Sequence, residues 1–211
     1  MLARNDLRRL LGALGDELAA EGVRGDLFIV GGAVMALAYN TRRSTRDIDG
    51  VFEPKQMVYD AARRVAARHP DLPDDWLNDA VKGFLLGDDP EATVTFDHPG
   101  LRVRVASPRY LFTMKVVASR VERDTDDIAA LYRLAGFTSV HDALGYVEQA
   151  YPHLKLEPKV LYLLEELAAD SRLARTGCGN AADPDACGKI VRSTGLPCRL
   201  DRTHGGRCRS R

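Results

Sequence analysis

Leu7, Leu10, Leu11, Leu14 and Leu18 recur at spacings of three and four, which predicts a helix from Asp6 to Glu21 with one buried stripe, capped by Asn5 or Asp6. Gly22 and Gly25 end it, and the apolar run Leu27-Phe28-Ile29-Val30 predicts a short buried strand. Gly31-Gly32 breaks that strand, and Ala33 to Tyr39 resumes as a helix of small and apolar residues. After a polar stretch from Asn40 to Thr45, Asp47 to Phe52 alternates. Ile48 and Val51 or Phe52 are expected inward, with Asp47 and Asp49 sharing the opposite face. Pro54 opens a helix to about Arg68 whose inner face is Met57, Ala61, Ala62 and Val65. His69 to Asp75 is a turn-rich connection, and Trp76 to Leu86 carries no decisive period.

Further along, Thr93–Phe96 and Leu101–Val105 predict a hairpin across Asp97-His98-Pro99-Gly100. Helices are expected from Pro108 to about Val121 and from about Asp124, the latter turning Ile128, Leu131 and Leu134 inward. Two more follow, Val140–Ala150 and Pro158–Ala169. Beyond Ser171 the apolar period stops. The expected organisation is a core over residues 1–107, a helical continuation of the same globule over 108–171, and a tail over 172–211.

Composition changes this picture only in the tail. A hydrophobic fraction of 45% and a charged fraction of 28% are those of a soluble globular chain. No apolar run approaches the ~20 residues that cross a bilayer, and no signal-peptide pattern opens the chain, so a cytoplasmic protein without a membrane partner is expected. The net charge is zero, yet residues 172–211 hold eight Arg and one Lys against three Asp. That excess of six positive charges suits either a polyanionic partner or a solvated tail. All four cysteines (Cys178, Cys187, Cys198 and Cys208) also lie there. In a reducing compartment they are zinc ligands, with His204 able to replace one, or idle thiols. The segment resembles a short cysteine-rich module at the ends of some bacterial and phage proteins. His69, His98, His141 and His153 lack ligand spacing and are read as structural or exposed, and Trp76 as a packing anchor.

The chemistry concentrates in Gly31-Gly32 followed by Ser44-Thr45-Arg46-Asp47-Ile48-Asp49. Strand, glycine pair and helix present backbone N–H groups to an anion, and glycine lets a phosphate approach the chain closely. Two carboxylates two residues apart on a strand can hold a hard divalent cation through oxygen. This combination resembles the signature of the polymerase-β-like nucleotidyltransferase superfamily. Within it, residues 26–135 are similar to the AbiEii/MenT-type toxins of bacterial toxin–antitoxin systems and to closely related uncharacterised nucleotidyltransferases. Trp76-Leu77-Asn78-Asp79, Ser107 to Lys115, and Arg123-Asp124-Thr125-Asp126-Asp127-Ile128 carry that likeness.

The resemblance implies an α/β nucleotidyltransferase fold, a small mixed sheet flanked by helices, with a helical C-terminal half. It implies Asp47 and Asp49 as Mg²⁺ (or Mn²⁺) ligands, Gly31, Gly32, Ser44 and Thr45 along the triphosphate of an NTP, and Lys115 and Asp127 completing the site. It further implies nucleotide transfer to RNA, with the tRNA 3′ end the leading acceptor, and a cognate antitoxin. In the same family the hydroxyl beside the carboxylate pair, here Thr45 or Ser44, is a target of inhibitory phosphorylation. The wider superfamily adds a third carboxylate on a neighbouring strand, where Leu101-Arg102-Val103-Arg104-Val105 offers arginines instead. Those arginines suit triphosphate or RNA, or simply solubilise the strand. Two other readings stay open: a small-molecule (aminoglycoside-type) nucleotidyltransferase, and a non-catalytic NTP- or RNA-binding relative.

Overall fold

The computed structural model describes residues 1–39, 44–118, 121–153 and 156–177. The cysteine, zinc and RNA-tail expectations fall on residues outside these. Met1–Ala168 forms one compact unit, and Ala169–Arg211 is a separate one.

The chain opens with a two-residue strand β1 (Leu2–Ala3) and helix α1 (Arg4–Ala20). The helix begins two residues earlier than its apolar stripe suggests, so its cap is Ala3 rather than Asn5 or Asp6. Asp6 still serves that end: its Oδ2 accepts the Ala3 N–H at 3.1 Å. Strand β2 (Gly25–Val30), helix α2 (Gly31–Leu37), strands β3 (Ser44–Thr45) and β4 (Ile48–Glu53) and helix α3 (Lys55–Ala67) follow. Next come β5 (Leu77–Asn78), a one-turn 3₁₀ helix (Ala80–Phe84), the hairpin β6 (Thr93–His98) and β7 (Leu101–Val105), and then helices α4 (Pro108–Val117), α5 (Val121–Leu134), α6 (Val140–Ala150) and α7 (Pro158–Gly177).

Five strands make one mixed sheet in the order β5-β4-β2-β7-β6. β2 lies antiparallel to β4 and parallel to β7, and β5 adds parallel to β4. Alternation sends Leu27, Ile29, Ile48, Phe52, Leu101, Val103 and Val105 to one buried face. There they meet the leucine stripe of α1 and Val58, Ala61, Ala62 and Val65 of α3. Val58 takes the inward place expected of Met57, which is half-buried. Gly50 is required on this face, because a Cβ would stand 2.5 Å from the Phe28 carbonyl oxygen. The opposite face of the sheet carries Asp49, Val51 and Glu53 beside Val30, Phe28 and Asp26, and it is more open.

Trp76 links α3 to β4 within this core. It is fully buried, its indole N–H donates to the Ala62 carbonyl at 3.1 Å, and its own carbonyl accepts the Ile48 N–H at 2.7 Å. The start of β4 is therefore tied to the packing of α3. Trp76→Phe is expected to cost about 1–2 kcal/mol in denaturant unfolding, the loss of one buried hydrogen bond plus a small void. A value near zero would show that the indole is not holding this junction.

The helical C-terminal half has its own aromatic centre, where Phe112, Tyr132 and Phe137 pack as tilted rings with centroids within 6.1 Å of one another. α4 starts at Ser107, whose Oγ accepts the Tyr110 N–H at 3.2 Å, while Asp89 accepts the Ser107 N–H at 2.6 Å. It ends at Val117, four residues short of the expected Val121. On α5, Ile128 and Leu131 are buried as expected but Leu134 is exposed. The stripe continues instead through Ala135, four residues after Leu131, as a 3.6-residue period allows.

Candidate active site

β2 ends at Val30 directly beside Asp49 of β4. Gly31 then turns with φ +68°, a conformation that a side chain resists, and begins α2. A Cβ on Gly31 would stand 3.3 Å from Asp49 Oδ2, so glycine here opens space next to that carboxylate. Gly32 is half-buried in the first turn of α2.

Asp47 stands just ahead of β4 rather than within it, and Asp49 is the second residue of the strand. Burial raises the Asp49 pKa, and the like charge of Asp47 raises it further, while a hydrogen bond from Asn78 opposes both. Asn78 pairs with Asp49 across the β4–β5 ladder, which places its amide at the carboxylate. These residues fit a divalent cation: two hard oxygen donors whose repulsion a positive charge would relieve. Among the described residues no group of three His, Cys, Asp or Glu side chains forms a fuller ligand set.

The register of β7 explains why. Phe28 pairs with Arg104 and Ile29 with Val105, so the position level with Val30 and Asp49 falls to Ala106. Arg102 and Arg104 share the sheet face of Asp49 but sit further down the strand. Arg104 donates to Asp26 at 3.0 Å and lies over the Phe28 ring, while Arg102 is exposed.

Lys115 approaches from α4. Its Nζ lies 3.0 Å from Asp124 Oδ1 and 2.9 Å from Asp127 Oδ2, with all three side chains at least 86% buried. Asp124 and Asp127 are three apart on α5 and so present both carboxylates to one cation. Gly31, Asp49, Lys115 and Asp124 line one cavity of about 510 Å³, within the range of small-molecule sites. Asp127 belongs to this group through Lys115. Asp124, which lines the cavity, and Asn78, which hydrogen-bonds Asp49, are residues to which the motifs alone assign no role. Their signals were the three-residue spacing to Asp127 and the place of Asn78 in Trp76-Leu77-Asn78-Asp79.

Ser44 and Thr45 form β3, which pairs antiparallel with β1 through Leu2 and Ala3. Thr45 is turned inward: it is 6% exposed and its hydroxyl donates to the Asp47 carbonyl at 3.2 Å. Thr45 thereby shapes the turn into the carboxylate pair, and Ser44 is the more accessible hydroxyl. The neighbouring Asp79 holds Lys55 and accepts the Tyr59 hydroxyl at 2.6 Å, which keeps its carboxyl below the usual range. Of the histidines, His98 is half-buried 3.3 Å from Asp16, and His141 and His153 are exposed.

The raised Asp49 pKa sets a sign. The folded chain holds that proton more tightly than an unfolded one, so ionised Asp49 subtracts from stability at neutral pH, and the penalty lifts as pH falls through its raised pKa. Mg²⁺ affinity is expected to weaken on acidification while ordinary aspartates, near pKa ~3.9, are still ionised. Mg²⁺ titrations between neutral and mildly acidic pH check this; an affinity flat down to ~pH 4.5 would contradict it.

A family described as nucleotidyltransferase of unknown function (DUF6036) matches residues 7–141, and the chain belongs to that family. No curated protein and no solved structure matches it. The match spans the mixed sheet, the glycine turn, the carboxylate pair, Lys115 and both aspartates of α5. Among the described residues no helix is long and apolar enough to cross a membrane.

Proposed function

We propose that this nucleotidyltransferase moves a nucleoside monophosphate from an NTP to RNA, with the tRNA 3′ end as the leading acceptor. The observation that carries the reading is the convergence of Gly31, Asp49 and Lys115 on one cavity. Asp47 and Asp49 are assigned as the residues that would hold Mg²⁺ or Mn²⁺, a Lewis acid that would offset negative charge at the reacting phosphate. The glycine turn gives the triphosphate room beside Asp49. Lys115, fixed by Asp124 and Asp127, offers a point charge to the departing pyrophosphate. The acceptor hydroxyl oxygen bonds to the α-phosphorus as the bond from that phosphorus to the oxygen shared with the β-phosphate breaks; pyrophosphate leaves and the hydroxyl proton passes to solvent. Gly32 and Ser44 complete the phosphate path, and Thr45 holds the turn.

Arg102 and Arg104 on the face of Asp49, and the six-charge excess of residues 172–211, support a polyanionic acceptor. Transfer onto tRNA would halt translation, and on this reading the protein is a growth-inhibiting toxin with a cognate antitoxin. An α-labelled NTP offered with total RNA and, separately, with an aminoglycoside panel tests the acceptor. Label in RNA is the expected result; label confined to the small molecules would replace the RNA reading with an antibiotic-modifying one.

A further inference from the structure

The cavity that holds Asp49 and Lys115 also carries a second chemistry. Its remaining lining is apolar, with Val81, Phe84, Met114 and Tyr151 prominent. Phe84 is 70% exposed, a large ring left in water at the edge of a charged site. Its position is not that of a loose surface residue. The Tyr151 hydroxyl donates to the Phe84 carbonyl at 3.3 Å, tying the 3₁₀ turn to the segment after α6. Six residues upstream on the same connection, Asn78 is hydrogen-bonded to Asp49. One short segment therefore places an amide on the carboxylate and an aromatic ring on the cavity wall.

Resting on the nucleotide-transfer reading above, we propose that Phe84, supported by Tyr151, is the stacking platform for the base of the incoming NTP. An NTP is itself two-sided, a polyanion joined to a flat aromatic ring. Gly31, Asp49 and Lys115 suit the first part, and an exposed ring in the same cavity suits the second. Stacking on an aromatic face contributes to nucleotide binding without reading the edge of the base. Phe84 is then a binding residue for the nucleotide, and the phosphate end is held independently of it.

The test is calorimetric titration of the full-length protein with NTPs and with tripolyphosphate, each with Mg²⁺, on wild type, Phe84→Ala and Phe84→Trp. Phe84→Ala is expected to weaken NTP binding about tenfold or more and to leave tripolyphosphate unchanged. Phe84→Trp is expected to retain NTP affinity. Its new indole should be quenched by NTP but not by tripolyphosphate, against the single buried Trp76. Unchanged NTP affinity in Phe84→Ala, or an equal loss for NTP and tripolyphosphate, overturns the platform alone. Wild-type protein that binds no NTP overturns the transferase reading and the platform with it.

Discussion

Asp49→Asn is expected to lower nucleotide transfer at least about a thousandfold, about 4 kcal/mol of transition-state stabilisation, while the protein folds normally. The substitution keeps the shape of the side chain and removes one of the two anionic carboxylates that would hold a cation. Asp47 alone, half-buried and ahead of the strand, would be left to hold the metal. The same change should stabilise the metal-free protein. Burial and the charge of Asp47 both disfavour ionised Asp49, so a neutral amide relieves a penalty that the carboxylate carries at neutral pH. Loss of activity together with a higher metal-free melting temperature is the signature of a strained ligand pair. Lost activity with a lower melting temperature would mean that Asp49 is chiefly structural.

Lys115→Met is expected to cost about 3 kcal/mol in stability and to lower the melting temperature by roughly 10 °C, besides abolishing transfer. Asp124 and Asp127 are both buried against this one ammonium, and removing it leaves two carboxylates facing each other out of water. The triple variant Lys115→Met/Asp124→Asn/Asp127→Asn should recover most of the stability and none of the activity. That separation matters, since it distinguishes a cation kept for phosphate chemistry from one kept to neutralise its neighbours. A change of less than about 1 kcal/mol in the single variant would place these groups in effective contact with solvent.

Much of this architecture is legible in local sequence. The sheet strands announce themselves by apolar runs and alternation, and Gly31-Gly32 followed by Asp47 and Asp49 joins a turn to two carboxylates within one short stretch. What escaped depends on tertiary structure. β5 is two residues long and the 3₁₀ helix five, too short for any period to show, so Phe84 gave no signal of its place and Asn78 only its membership of Trp76-Leu77-Asn78-Asp79. Lys115 and Asp127 were legible together through the motif order of the resemblance, whereas Asp124, the second carboxylate on Lys115, emerges only when α4 meets α5. The empty place of a third carboxylate is a matter of register: Val30 brings Asp49 level with Ala106, which no reading of β7 in isolation reveals.

The most direct test of the central claim is incubation of purified protein with tRNA, Mg²⁺ and each α-labelled NTP in turn, beside an Asp47→Ala control. Label is expected to enter tRNA from at least one NTP, dependent on Mg²⁺ and absent in the variant. No transfer from any NTP by protein shown to be folded, or transfer that survives Asp47→Ala, would contradict it.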